Sequence, residues 1–370
     1  MKKIIRIIAF ALVLIMLTPA LISCSGYRSK YKAIMEYNGI KLTEEFYNYW
    51  VATYKRNILA SYEDASDTEE FWGSMYNDTM TVEEYFTEII NNRLMNYLIA
   101  QDLYKKNTLK LPKSTKNAIK NDINEKIDFY GGRASLNSTL SELMLNIDAL
   151  KEVYTWEAKH DYVYDKFFGK GGALEITDED LIDYYESNYY HIKYIVFYMT
   201  NIKTDNDGNY VYDSNGDLIS EEMTEAEKAQ KQLKIAEFEG KLNSGKSFDE
   251  LIEEYSEFDT KNYPNGFYFS VNEINVWGSE IYNAVKNGEI NSIIKVDEWE
   301  AIFYIQKLEL TDFSSLTATD IAQLENLLTY ASSALYDEFF SELYPSVNVN
   351  KELMAKYRLS VVKANKNYSI

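Results

Sequence analysis

Residues that bind metals or carry out redox and thiol chemistry are scarce in this sequence. One cysteine and two histidines occur among 370 residues. A single cysteine excludes an intramolecular disulfide, and so few sulfur and imidazole ligands argue against a structural zinc site. A Gly-rich phosphate loop and a Gly-x-Ser-x-Gly nucleophile elbow are also missing. We therefore expect neither a metal nor another cofactor.

Positive charge is scarce as well. The formal net charge is −20, from 38 Lys and Arg against 58 Asp and Glu. Such a chain is repelled by the phosphate backbone, so we expect no nucleic-acid partner. Hydrophobic residues make up 46% of the sequence, which is typical of a globular protein.

The apolar run at the N-terminus is short. Ile7 to Leu17 follows the cations Lys2, Lys3 and Arg6, whereas a membrane-spanning helix needs about 20 apolar residues. A positive segment before such a run is typical of a secretory leader. We expect residues 1–23 to be removed, which takes the formal charge from −20 to −23 because three cations leave with them.

The residues after this run resemble a bacterial lipobox. They read Leu21-Ile22-Ser23-Cys24. The resemblance implies that Cys24 becomes the first mature residue and carries a diacylglyceryl thioether, and two acyl chains anchor a protein firmly. We expect a lipid-anchored protein on the extracytoplasmic face of the cell membrane, with residues 24–36 as a tether. The alternative is a plain secretory leader with a chance cysteine.

Helix signals dominate residues 37–172. Asn38-Gly39 predicts a turn before a helix, and Thr81 with Glu84 forms a capping box at the start of another. Pro112 and Gly131-Gly132 are predicted to interrupt the helices of this segment, and Gly169 to Gly172 marks its end.

Residues 175–310 combine helices with strands. Glu175 to Asn188 predicts a helix and His191 to Met199 a strand, followed by an insertion at 200–222 that contains a predicted β-hairpin. Thr224 with Glu227 and Ser247 with Glu250 predict two capped helices. A short helix, a Lys-Asn-Gly-Glu turn and a strand from about Ala301 to Leu308 complete the segment.

A last helix is predicted within residues 313–370. It runs from Thr317 to Tyr344, with Leu324, Leu328 and Leu335 near one face.

The strand at 191–199 and the stretch from Gly245 to Leu310 together resemble a parvulin-type peptidyl-prolyl isomerase domain. The block at 37–172 resembles the N-terminal helical domain of SurA- and PrsA-like chaperones, through "YNGIKLTEEFYNYW", "LIAQDLYKKNTLKLPKS" and "YGGRASLNSTL". The resemblance implies an α+β protein. A helical chaperone domain, built from N-terminal helices and a returning C-terminal helix, would hold an inserted parvulin-like domain of antiparallel sheet and helices.

The same resemblance assigns the catalytic positions, and most of them are changed. A family histidine on the first strand matches Tyr194, and a second on the last strand matches Tyr304. The family Cys or Asp position matches Phe258, with Asp259 beside it, and a Gly-rich stretch is reduced to Asn265-Gly266-Phe267-Tyr268-Phe269. Tyrosine keeps a hydroxyl but does not titrate near neutral pH.

The two histidines of the chain are interpreted as ordinary structural residues. His191 lies three residues before Tyr194, which puts it on the opposite strand face. His160 belongs to the helical block.

Three functions remain open from the sequence. The first is a lipid-anchored foldase or chaperone for unfolded or partly folded exported polypeptides, with weak or lost isomerase activity. The second is an active isomerase in which Tyr194, Asp259 and Tyr304 replace the usual groups. The third is a non-catalytic surface-binding lipoprotein with one fixed partner.

Overall fold

A computed structural model describes residues 27–61, 65–203, 205, 210–213, 219–258, 263–298 and 300–366. Within these ranges the protein mixes helices with small antiparallel sheets, so the α+β class is confirmed. The described chain divides into two compact units. The first contains residues 27–175 and 332–366, and the second contains residues 176–331.

The first unit begins with two strands and continues as helices. In chain order the elements are β1 Ala33–Tyr37, β2 Ile40–Thr43, α1 Glu44–Ser61, α2 Glu69–Gly73, α3 Val82–Lys106, α4 Lys113–Phe129, α5 Arg133–Ser141 and α6 Ile147–Phe167.

The second unit alternates helices with the strands of its main sheet. Its elements are α7 Asp178–Asn188, β3 Tyr189–Tyr198, β4 Thr200–Ile202, β5 Ser220–Glu222, α8 Glu225–Asn243, α9 Phe248–Tyr255, β6 Phe267–Ser270, α10 Ile274–Trp277, α11 Ser279–Asn287, β7 Ile293–Glu298, β8 Ala301–Leu308 and α12 Ala318–Gln323. Helix α13, Leu327–Ser341, follows, and β9 Asn348–Val349 and α14 Lys351–Met354 belong to the first unit.

The turn predicted at Asn38-Gly39 is confirmed, and it joins β1 to β2. Both residues have positive φ, 49° and 78°, which is the geometry that a two-residue hairpin loop requires. Strand β9 pairs with the other side of β1, so the small sheet has the order β2-β1-β9. The tether prediction is wrong at its C-terminal end, because Ala33 to Glu36 lie in β1 with Ile34 and Met35 buried.

Aromatic packing fills the core of the first unit. The rings of Phe46 and Trp156 meet edge to face at 5.8 Å, and Trp50 lies 5.1 Å from Tyr97. The capping box of Thr81 and Glu84 at the start of α3 is confirmed.

The C-terminal segment of the first unit packs against its helices. The ring of Phe168 lies 5.6 Å from that of Phe339, and the Lys55 ammonium donates to the Val362 carbonyl at 2.7 Å. These contacts tie together stretches that are far apart in the sequence.

Four antiparallel strands form the sheet of the second unit, in the order β6-β3-β8-β7. One face packs against α11 around Ile192, Val196 and Ile281, and the other packs against α8 and α9 around Phe197, Phe238 and Leu251. Strand β8 is present as predicted. So are the short helix and the turn that precede it in the sequence. Strand β7 was not predicted.

The insertion at 200–222 is described in part. Its flanks pair as β4 and β5, and Val211 bonds to both Lys203 and Ile219 through the backbone. The two predicted Asp/Asn-Gly turns lie at residues outside the described ranges.

The predicted last helix is broken, so that prediction is wrong. Helix α12 ends at Gln323 and α13 starts at Leu327, with i to i+3 backbone bonds at Leu324 and Leu327 in between. The break shifts the helical phase. Leu327 is therefore buried against the cluster around Tyr185, while Leu328 is 56% exposed.

Among the described residues, no helix combines the length and the apolar character needed to cross a membrane.

Candidate functional site

A cleft of about 720 Å³ opens in the second unit. Strand β3, helix α9 and the two chain segments 256–258 and 263–267 contribute its lining. Its volume falls within the range of about 300–1,000 Å³ that is typical of ligand pockets. The cleft brings together two of the predicted site residues, Tyr194 and Phe258.

Tyr194 lies at the centre of an aromatic cluster below the cleft. Its ring is 4.9 Å from Phe267, 6.0 Å from Phe258, 5.8 Å from Trp277 and 6.0 Å from Phe303. The side chain is buried, and burial raises the pKa of its phenol far above the ordinary value. The Tyr194 side chain is therefore uncharged. Its hydroxyl has no hydrogen-bond partner among the described residues.

Phe258 is positioned by the residue before it. The Glu257 N–H donates to the Val196 carbonyl at 3.1 Å, and the Glu257 carboxylate accepts from the Tyr198 N–H at 2.9 Å. Lys231 donates to the same carboxylate at 2.6 Å. These bonds fix the segment to β3 and α8, which places the Phe258 ring beside Tyr194.

Gly266 forms part of the cleft lining at a position that no other residue fits. Its φ is +105°, and a Cβ there would lie 2.4 Å from the Ile192 carbonyl oxygen. The backbone of the loop passes this close to β3, so a glycine is required.

His191 holds this loop from the opposite face of β3, as predicted. Its Nε2 lies 2.6 Å from the Asn265 carbonyl oxygen, and its Nδ1 lies 3.0 Å from the Glu309 carbonyl oxygen. The imidazole also stacks on Tyr268 at 4.3 Å. His191 is thus structural, and it links the loop of the cleft to the chain after β8.

Helix α9 and the residues after it present a row of carboxylates to the cleft. Asp249 and Glu253 lie one helical turn apart on α9, and Glu257 follows two residues after the end of the helix; all three line the cleft. Lys193 pairs with Asp249 at 2.6 Å, and Glu257 is held by Lys231 and Lys234. Glu253 has no ion-pair partner within the described part of the chain, so the row retains one free negative charge.

Tyr304 is not part of the cleft, and its assignment to the site is wrong. Tyr194 pairs with Ile305, whereas Tyr304 pairs with Ile195. Residues paired across antiparallel strands share a face, so Tyr304 lies on the other side of the sheet. There its ring packs on Phe238 at 4.6 Å and its hydroxyl donates to the Glu239 carboxylate.

Two predicted residues lie outside the described ranges. These are Asp259 and the lipidation candidate Cys24. His160 lies in the first unit, where its Nε2 is 2.5 Å from the Tyr336 hydroxyl, in keeping with a structural role.

Sequence reasoning missed several residues that shape the cleft. Trp277 and Tyr263 had no individual prediction. Trp277 lies ten residues beyond Phe267 along the chain and reaches it only through the fold, at 6.0 Å. The spacing of four residues between Asp249, Glu253 and Glu257 was visible in the sequence and could have indicated the carboxylate row.

No group of three or more His, Cys, Asp or Glu side chains is placed to hold a metal ion in the ranges that the structure describes.

Solved structures to which this chain is similar include three PrsA proteins. No protein-family model matches the sequence, and no curated protein matches it. A crystal structure of PrsA from Bacillus subtilis matches with 17% identity, covering 79% of this chain and 93% of that chain, at a TM-score of 0.24. The foldase protein PrsA from Streptococcus pneumoniae matches with 14% identity, 80% and 95% coverage, and a TM-score of 0.24. The peptidylprolyl isomerase PrsA from Bacillus cereus matches with 16% identity, 75% and 93% coverage, and a TM-score of 0.28.

Proposed function

We propose that the chain is an extracytoplasmic foldase that binds unfolded segments of exported proteins in the aromatic cleft of its second unit. The main support for this proposal is that Tyr194, Phe258 and Phe267 lie together around one open cleft. A cleft lined by aromatic rings can bind prolyl rings and other apolar side chains with little dependence on the sequence of the bound polypeptide.

The free hydroxyl of Tyr194 adds a polar contact to this apolar surface. A bound polypeptide has backbone carbonyls along its length, and a phenol hydroxyl donates to a carbonyl oxygen. An extended segment can therefore place an apolar side chain on the rings while a carbonyl accepts from Tyr194. This combination suits a binder of many different segments.

We propose that isomerase activity is weak or lost. Rotation about an X-Pro bond crosses a barrier of about 18–20 kcal/mol. Lowering it requires control of the polar environment of the amide. Among the described residues that line the cleft there is no histidine or cysteine, and the raised pKa of Tyr194 keeps its phenol neutral.

The domain arrangement is part of the proposal. The second unit, residues 176–331, corresponds to the parvulin-like segment that the sequence places at 175–310. It interrupts a first unit that corresponds to the helical chaperone domain with its returning C-terminal segment. The motifs quoted from both segments support this correspondence.

We also propose that Cys24 anchors the protein to the cell membrane on the extracytoplasmic face. The support is the cationic leader, the apolar run of residues 7–17 and the tetrapeptide that ends in Cys24. Metabolic labelling with a fatty-acid analogue tests this, with Cys24→Ser as the control that should lose the label and enter the soluble fraction.

One observation favours a second candidate, an active isomerase that uses Tyr194. Tyr194 lines the cleft, and its hydroxyl, which has no partner among the described residues, is available to donate to the carbonyl that precedes a proline. Tyr304 has no part in such a mechanism because it lies on the other face of the sheet.

Two assays separate these candidates. A foldase of the first kind suppresses aggregation of several unfolded clients and gives no rate gain in a proline-limited refolding reaction. A rate gain that Tyr194→Phe removes supports the active isomerase instead. A pull-down that returns one tight partner, with no suppression of aggregation, would overturn both in favour of a surface-binding lipoprotein.

A further inference from the structure

The first unit contains a pocket of its own, of about 410 Å³. Met35 from β1, Met95 from α3 and Met354 from α14 converge on it, together with Val349 from β9. Methionine is flexible and polarizable, and it is common at surfaces that accept varied apolar partners.

Three polar side chains in the wall of this pocket, Tyr47, Asn91 and Tyr357, already have hydrogen-bond partners. The Tyr47 hydroxyl donates to Asn91 Oδ1 at 2.8 Å, and Asn91 Nδ2 donates to Met354 Sδ at 3.7 Å. The Tyr357 hydroxyl donates to Glu44 at 3.0 Å. The wall is therefore suited to an apolar occupant, because its tyrosine hydroxyls and Asn91 are already hydrogen-bonded to protein groups.

The charged residues that line the pocket are both cations. They are Lys351 and Arg358, and both are exposed. Neither has an ion-pair partner within the described part of the chain. In a protein of formal charge −20, two free cations at one apolar pocket favour an occupant that carries a carboxylate.

We propose that this pocket is a second binding site, for an extended peptide segment that carries a large apolar side chain next to an acidic residue. Val349 lies on β9, the outer strand of the β2-β1-β9 sheet. An extended peptide can bond to the backbone of an outer strand while a side chain fills the adjacent pocket. A glycerophospholipid has no amide groups for such bonds, so the strand edge favours a peptide.

The test is peptide binding to the full chain, measured by fluorescence anisotropy at low salt. The probe is a labelled peptide with the sequence Gly-Phe-Asp-Leu-Gly at its centre, compared with versions that carry Asn or Lys in place of Asp. We expect the Asp peptide to bind about three- to tenfold more tightly than the Asn peptide, because exposed ion pairs are individually weak. At this pocket, in contrast to the acidic aromatic cleft, the Lys peptide should bind most weakly.

Matched variants assign the binding to this pocket. The double variant Lys351→Gln, Arg358→Gln should bind the Asp and Asn peptides equally. Ala355→Trp places a large ring at the exposed lining residue Ala355 and should reduce binding of both, whereas Ala355→Ser should not. Phe258→Ala, in the aromatic cleft, should leave the preference for Asp intact.

Three results would overturn the proposal. The first is equal affinity for the Asp and Asn peptides in the unmodified protein. The second is binding that Ala355→Trp leaves unchanged. The third is a preference for phosphatidylglycerol over phosphatidylcholine vesicles that depends on Lys351 and Arg358 without any peptide binding, which would indicate an anionic lipid site.

Discussion

Tyr194 and Tyr304 lie on opposite faces of the same sheet, one register step apart on the paired strands β3 and β8. Tyr194 lines the aromatic cleft, while Tyr304 packs on Phe238 beneath α8. The two residues that sequence matching places in one catalytic site are therefore separated by the thickness of the sheet. Only Tyr194 can contact a polypeptide in the cleft.

Substitution of the two tyrosines should have different effects. Tyr194→Phe keeps the ring stack and removes the free hydroxyl, so peptide affinity should fall by about two- to tenfold if that hydroxyl donates one hydrogen bond. Tyr304→Phe should leave affinity unchanged, because it lies on the other face. Calorimetric titration with a proline-containing peptide makes the comparison, and equal losses in both variants would contradict this account of the cleft.

Tyr304→Phe should instead reduce stability. The variant loses the hydrogen bond to the partly exposed Glu239 carboxylate, for which a cost of about 1 kcal/mol is reasonable. Hydrogen exchange of the strand β8 amides in the full chain measures this loss of local stability. Unchanged exchange in Tyr304→Phe would show that the bond contributes nothing.

The carboxylate of Glu253, which has no ion-pair partner among the described residues, should give the cleft a preference for basic segments. Asp249 and Glu257 are paired with lysines, so Glu253 retains a negative charge at the cleft. A peptide with Arg beside proline should bind about two- to fivefold more tightly than one with Glu, since an exposed pair contributes about 0.2–1 kcal/mol. Salt should reduce the difference.

Glu253→Gln supplies the matched control for that preference. It should remove the difference between the Arg and Glu peptides while leaving the affinity of a neutral peptide unchanged. A preference that survives Glu253→Gln would place its origin elsewhere on this acidic protein. Loss of all binding in the variant would mean that Glu253 supports the cleft itself.

Gly266→Ala should disturb the cleft through its backbone. The residue combines φ of +105° with a Cβ position 2.4 Å from the Ile192 oxygen, so the loop must move away from β3. Backbone strain of this kind costs about 1–3 kcal/mol. We expect faster hydrogen exchange at residues 263–268 and weaker peptide binding.

Another glycine of the second unit provides the comparison for Gly266. Gly240→Ala lies within α8, where nothing is within 4 Å of the added Cβ. It should leave exchange in the loop unchanged, and slight stabilisation of the helix is expected because Ala is the better helix former. Equal behaviour of the two variants would contradict the close approach at Gly266.

Local signals in the sequence predicted local structure well. The capping boxes at Thr81 and Thr224 and the turn at Asn38-Gly39 are all present. Each depends on residues within three positions of one another, so all the residues that form it lie in one short stretch of sequence. The same holds for the strand from Ala301 to Leu308.

Features that depend on distant partners were not predictable in the same way. The face on which Tyr304 lies is set by the register of β8 against β3, and a shift of one residue reverses it. The break between α12 and α13 is tied to the burial of Leu324 and Leu327 in a cluster with Tyr185, which is more than 130 residues upstream by the sequence numbering. The methionine pocket likewise combines β1, α3 and α14.

His160 makes the stability of the first unit sensitive to pH. The imidazole is 4% exposed, and burial lowers its pKa below the ordinary value of 6.5, although the adjacent Asp161 opposes this. Arg93 also lowers the pKa, and the Tyr336 hydroxyl contacts Nε2.

In the unfolded chain the histidine takes up a proton near pH 6.5, whereas the folded state resists protonation. The unfolded state therefore binds more protons, and the free energy of unfolding falls as the pH drops below 6.5 towards the lowered pKa. Hydrogen exchange of the α6 amides in increasing urea, at pH 7.5, 6.5 and 5.5, measures this slope for the first unit. His160→Gln removes the titrating group and should flatten the slope over that range, even where it lowers stability at every pH. A slope that is the same in both proteins would assign the pH dependence to carboxylates instead.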